Sequence, residues 1–171
     1  MKRVALLVVV LLLAAAGAWY LVTSRGPVAQ ENLTIYYVRS DGTTLSHWTV
    51  SMRPRAAGEG DSERLHDVAL YAAVQAVAGP PSEVDAVRFP TGTHVLNVSV
   101  SGSTATVDLS SDVASSAGGS FQETAEFKGL VYTVTGISSI NAVQVLVAGR
   151  SVESLPGGHL ELDQPLRRSD W

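Results

Sequence analysis

The stretch Val107-Asp108-Leu109-Ser110-Ser111-Asp112 sets a serine beside two carboxylates where an alternating segment runs into a loop. Two carboxylates about 5–10 Å apart across a cleft can hydrolyse a glycosidic bond, and Asp108 and Asp112 lie close enough in sequence to meet that separation. The competing reading is structural and is the better one: Asp108 points to the solvent face of its strand, and Ser110 and Asp112 close turn amides. Glu123 reads as half of a capping box with Ser120, and Glu126 as a solvent-facing helix position. The histidines, His47, His66, His94 and His159, are scattered, with no second histidine or cysteine at metal-ligand spacing. His66 adjoins Asp67, but neighbouring helical residues do not face each other. No glycine-rich phosphate loop and no serine in a nucleophile elbow is present, and Lys128 is the one lysine of residues 27–171, which disfavours phosphoryl transfer. No catalytic residue, metal ligand or cofactor is therefore assigned. Trp48 with Tyr36 and Tyr37 offers an aromatic platform near a sheet edge for a cell-wall glycan or peptide, although aromatics at such spacing more often fill a core. Arg53 with Arg55, and Arg167 with Arg168, are the local basic pairs. Asn32-Leu-Thr and Asn97-Val-Ser match glycosylation acceptors, a triplet common by chance.

The elements that would position these residues follow from patterning. Leu33–Val38 is β-branched and aromatic, and Ser40-Asp41-Gly42 turns it into a second strand at Leu45–Arg53. Asp61 or Ser62 can cap a helix whose apolar positions Leu65, Val68, Ala69, Ala72 and Ala76 keep helical spacing, and Gly79-Pro80-Pro81 stops it. Leu96, Val98 and Val100 alternate with polar residues. After Ser101-Gly102-Ser103, so do Ala105, Val107 and Leu109, which makes the clearest hairpin in the chain. The helix opened by Ser120 should run to about Thr135 and bury Phe121, Ala125, Phe127 or the stem of Lys128, Leu130, Val131 and Val134. Gly129 inside it implies close packing against the sheet. Val143, Val145 and Val147 form one face of a strand over Asn141–Ala148. Short strands are expected at Ser151–Leu155 and His159–Leu162. The order is ββαββαβ, an α+β single domain with a mostly antiparallel sheet and two helices packed on one face.

Composition divides the chain. It has 171 residues, 46% apolar, with 16 acidic and 12 basic side chains and no cysteine. That excludes disulfides, thiol catalysis and an N-terminal lipidated cysteine. Lys2 and Arg3 precede an uncharged run from Val4 to Val22, about 28 Å long as a helix and near a bilayer's hydrocarbon thickness. Trp19 and Tyr20 suit its outer interface, and the basic start places the N-terminus in the cytoplasm. Residues 1–26 thus read as a membrane anchor. The alternative is a signal peptide cut near Ala16-Gly17-Ala18, leaving a secreted or periplasmic product. A polar linker, 27–32, leads to the domain at 33–171. Residues 27–171 hold 9 basic and 16 acidic side chains, the wrong sign for a nucleic-acid binder.

Five segments in order resemble the GerMN domain family. They are Ala78-Gly79-Pro80-Pro81 with Phe89-Pro90-Thr91-Gly92-Thr93, then Val107-Asp108-Leu109-Ser110, then Val131-Tyr132-Thr133-Val134-Thr135, then Val143–Arg150, then Pro165-Leu166 with Arg168. The likeness covers about Leu33 to Arg168. It implies a compact domain similar to the ring-building modules of large envelope complexes, tethered outside the cytoplasmic membrane. It implies a role in assembly, through an envelope protein partner or self-association, and no known reaction. The absence of cysteine and the single domain copy depart from lipidated, two-domain relatives.

Overall fold

β-Branched and aromatic side chains carry the first hairpin. In the computed structural model, which describes residues 31–115 and 119–171 together with Ala14, Ala15 and Trp19, β1 spans Glu31–Val38 and pairs antiparallel with β2, Leu45–Met52, from Glu31↔Met52 to Val38↔Leu45. β1 starts two residues before the expected Leu33. The turn is held by Asp41, whose carboxylate accepts the Thr43 and Thr44 amides at 2.9 Å.

Helix α1, Asp61–Ala78, buries Val68, Ala69, Ala72 and Ala76 as the periodicity requires, with Ala73 and Val77 beside them. Neither Asp61 nor Ser62 caps it. Gly60 is the N-cap without a side-chain bond, and Asp61 and Glu63 instead place negative charge in the first turn, where the helix dipole favours it. Gly79 ends the helix at φ 76° and donates its amide to Gln75, a left-handed stop that glycine adopts without a Cβ penalty.

β3, Val95–Ser101, and β4, Thr104–Leu109, form the expected hairpin, with Ala105, Val107 and Leu109 fully buried. A bulge between Val95 and Asn97 resets the side-chain parity. Leu96, expected inside, is 50% exposed, while Val95 packs on the core. After a 3-10 turn at Ser111–Ser115, helix α2, Gly119–Val134, leads to β5, Ala142–Val147.

The sheet expectation needs correction. There are two sheets: β1-β2, and β3-β4-β5, in which β5 runs parallel to β4 from Thr104↔Ala142 to Leu109↔Val147. A parallel neighbour needs a long crossover, and the stretch carrying α2 supplies it. The sheets stay separate because β1's outer edge is taken at Tyr36 by α2 and at Val38 by the Val87 amide, which leaves β3 and β5 no continuous edge to pair with. The Tyr36 amide donates to Thr133 Oγ1 at 2.8 Å, and the same hydroxyl donates to the Gly129 carbonyl at 2.8 Å. A little further along, the Val38 carbonyl accepts the Val87 amide. α1 packs on β3 and on α2. Between these layers lies one core, built on Ile35, Leu109, Phe127, Leu130, Val131 and Val143 among others.

The two short strands expected in the tail do not form. Residues 151–165 are irregular, yet Leu155 and Leu162 are buried, and Leu166 makes an isolated antiparallel bridge to Val143. Residues 31–171 are one compact unit. The expected span Val4–Val22 lies outside the described residues apart from Ala14, Ala15 and Trp19. Among the described residues no helix is long and apolar enough to cross a membrane.

Candidate functional site

Asp108 and Asp112 serve different turns. Asp108 Oδ1 accepts the Gly149 amide at 2.8 Å, bracing the turn after β5, where Ala148 and Gly149 both have positive φ. Asp112 Oδ2 accepts the Ser110 hydroxyl at 3.0 Å, and Ser110 Oγ in turn accepts the His94 amide at 3.2 Å. The proton that a nucleophilic serine would surrender is held inside a local turn.

The histidines do not converge. His47 packs on the Tyr36 ring, His94 Nδ1 bonds the Gly92 carbonyl, His66 is half-buried on α1, and His159 contributes its backbone amide elsewhere. Among the described residues no group of three or more His, Cys, Asp or Glu side chains could hold a metal ion.

Glu123 and Glu126 are placed differently from the sequence expectation. Both are buried, at 6% and 4% exposure. Glu123 does not close a capping box with Ser120. Its Oε2 accepts the His159 amide at 2.8 Å, and a Cβ on Gly158 would overlap its carboxylate, so the tail's glycine permits the approach. Its Oε1 has no hydrogen-bond partner. Glu126 accepts the Gln122 side-chain amide at 2.7 Å. Burial pushes its carboxyl up to about 7; the Gln122 bond opposes this and the neighbouring Glu123 charge adds to it. A cavity of about 20 Å³ beside the pair has room for one water. Phe121, expected inside, is 52% exposed and lies over Gly42 instead.

An ion-pair network that periodicity alone missed joins the first hairpin to α1. Glu59 takes Arg53 in a two-pronged pair at 2.9 Å and the Ala56 amide at 2.7 Å, which together hold its carboxyl down at about 2. Arg53 also pairs with Asp67, Arg55 with Asp61, and the buried Arg64 with Glu31.

The expected aromatic platform is divided by strand alternation, which sends adjacent residues to opposite faces. Tyr37 packs with Trp48, ring centres 5.6 Å apart. Tyr36 packs with His47 and with Tyr132 of α2. Over the second group lies Arg168, its guanidinium 5.6 Å from the Tyr36 ring centre and 5.0 Å from that of Tyr132. Arg168 Nε donates to Thr135 Oγ1 at 2.8 Å and Nη2 to the Tyr132 carbonyl at 2.6 Å, covering the C-terminal end of α2. Grooves of about 270 and 300 Å³ meet there, both lined by Thr135 and Arg168. The signal available in sequence was the basic pair at 167–168, but nothing local tied it to Tyr36 or Tyr132.

Similarity to known proteins fits this architecture. A candidate lipoprotein from Clostridium perfringens matches with a TM-score of 0.57 and 20% identity, over 84% of this chain and 91% of that one. The tandem GerMN domains of the sporulation protein GerM from Bacillus subtilis match at TM-score 0.59 and 23% identity, over 83% of this chain and 48% of the tandem, so this chain spans about half of it. The first GerMN domain of that protein matches at 0.57 and 22%, over 82% and 99%. No curated protein matches. These likenesses show a GerMN-like fold. The Germane family model, described as sporulation and spore germination, matches residues 34–153, and the chain belongs to that family.

Proposed function

We propose that this chain is an extracytoplasmic domain, tethered at the cytoplasmic membrane by its N-terminal segment, that acts without catalysis in assembling a cell-envelope complex. Its partner is an envelope protein or a second copy of itself. The observation that carries this reading is the family match across residues 34–153, to a family described by sporulation and spore germination and not by a reaction. The names of the similar structures, a sporulation protein and a candidate lipoprotein, support the same setting. The Val4–Val22 run behind Lys2 and Arg3 supports the tether. The commitment of Asp108, Ser110 and Asp112 to turns supports a non-enzymatic role.

Photo-crosslinking in intact cells from positions on the exposed faces of β2 and α1, followed by mass spectrometry, tests the proposal. A discrete crosslinked protein, or the chain crosslinked to itself, is the expected result. A domain that stays monomeric and captures no envelope protein would refute it. The mass of the mature chain separates a retained anchor from a cleaved signal.

A further inference from the structure

Residues 27–171 carry a net negative charge, and four of their eight arginines are spent on partners within the fold. Arg53, Arg55 and Arg64 sit in ion pairs, and Arg88 donates to the carbonyls of Pro80, Pro81 and Val84. Arg168 differs. Among the described residues no carboxylate pairs with it, and its Nη1 has no hydrogen-bond partner. The nearby Asp170 carboxylate is taken by the Arg167 amide and the Ser169 hydroxyl. Two tyrosine rings and two hydrogen bonds nevertheless hold the guanidinium in place. A fixed, uncompensated guanidinium with free N–H groups is a preorganised receptor for a planar anion.

The wall opposite specifies what the anion is attached to. In the β1-β2 ladder, the Arg39 amide donates to the Thr44 carbonyl, so the backbone groups of Asn32, Thr34, Tyr36 and Val38 face away from β2. Tyr36 and Val38 use theirs on Thr133 and Val87. Asn32 and Thr34 have no backbone partner on that side among the described residues, and both line the 270 Å³ groove with Arg168. Free alternating N–H and C=O groups on a strand edge match another extended main chain.

We infer that the groove between the β1 edge and Arg168 binds the C-terminal end of an extended peptide, the tail of another protein, with its main chain beside Asn32–Thr34 and its terminal carboxylate on Arg168. Charge complementarity selects the carboxylate, and the L-residue edge selects an L-peptide strand. The inference goes beyond the assembly role and does not depend on it.

The test uses the full-length chain in detergent micelles and fluorescence anisotropy of fluorescein-Gly-Gly-Val-Thr-Val with a free carboxyl end. The same peptide with a C-terminal amide and an all-D version serve as comparisons. Saturable binding of the free acid is expected, with the amide at least about tenfold weaker, the effect of one charge-assisted bond. Arg168→Gln should bring the acid down to the level of the amide. Because Arg168 also ties the tail to α2, circular dichroism accompanies that variant, and Thr34→Pro provides a second one that edge strands tolerate. Thr34→Pro should weaken acid and amide alike and keep their ratio. Equal binding of acid and amide, no saturable binding of the acid, or tighter binding of the D-peptide would each overturn the inference. So would an acid preference that survives Arg168→Gln in a folded protein.

Discussion

Gly129→Ala sets two opposing effects against each other at the point where α2 meets β1. In a solvent-exposed helix the change would stabilise by about 1 kcal/mol. Here the new Cβ would lie 3.1 Å from the Tyr36 carbonyl oxygen and 3.4 Å from the Tyr37 Cα. Both neighbours are backbone, so neither can rotate aside. The strand cannot withdraw freely either, because the Tyr36 amide is bonded to Thr133 one turn along the same helix. Overpacking of this kind costs about 1–3 kcal/mol, and stretching the Tyr36 bond adds up to about 1 kcal/mol. Set against the propensity gain, the net expectation is a loss of about 1–2 kcal/mol, or roughly 3–8 °C in Tm for a unit of this size. Urea unfolding of the full-length chain, followed by circular dichroism, reads this as a lower midpoint with an unchanged slope. An unchanged or raised midpoint would refute the close approach.

Substitutions at three other positions probe separate parts of the molecule. Thr133→Val removes the acceptor of the buried Tyr36 amide at nearly constant volume and should cost about 1–3 kcal/mol in the same urea assay, whereas Thr133→Ser should keep most of that stability. Glu126 titrates near 7 when folded and near 4.5 when unfolded, so its native proton is retained while the unfolded chain releases one. Its contribution therefore falls as pH rises from about 4.5 to 7, by about 3 kcal/mol in all, and Glu126→Gln should flatten that part of a stability-versus-pH curve. Asp41 and Glu59, both held down at about 2, act in the opposite sense, and their contribution is lost as pH falls from about 4 to 2. Asp108→Ala should cost about 0.5–1.5 kcal/mol, since it frees one turn amide, and the loss should appear as a thermal shift.

The elements were legible where one face of each is buried and the other is wet. β4 alternates cleanly, α1 keeps its apolar stripe, and Gly129 announced a close approach. Reading failed where a second layer changes the rule. α2 is enclosed by β1, α1 and the tail, so it buries residues around much of its circumference. Glu123, Glu126 and Thr133 then look exposed by periodicity when they are not. The bulge at Val95–Asn97 reverses parity without any glycine to mark it. The parallel pairing of β5 was implied by the long crossover carrying α2, but the valine alternation is the same for either direction. Arg168 illustrates the harder limit. Its partners are Tyr36, Tyr132 and Thr135, and only the assembled fold brings them to it.

The tail joins these points. The family match ends at residue 153, yet the 18 residues after it place Leu155, Leu162 and Leu166 at 8%, 0% and 5% exposure. Leu166 exchanges both backbone bonds with Val143, His159 donates to Glu123, and Arg168 covers the end of α2. Removing residues 154–171 would therefore strip three leucines from the core, each worth about 1.5–3 kcal/mol. It would also remove the His159 amide and the Gly158 backbone that cover the Glu123 carboxylate. The combined loss, on the order of 5–9 kcal/mol, is comparable to the entire stability of an ordinary domain. The expected outcome is a chain that does not fold, visible as loss of the cooperative thermal transition. If the truncated chain instead melts cooperatively near the wild-type Tm, the core ends with the family match. The tail would then be a separable strap, and Arg168 would reach the Tyr36 groove without supporting the fold.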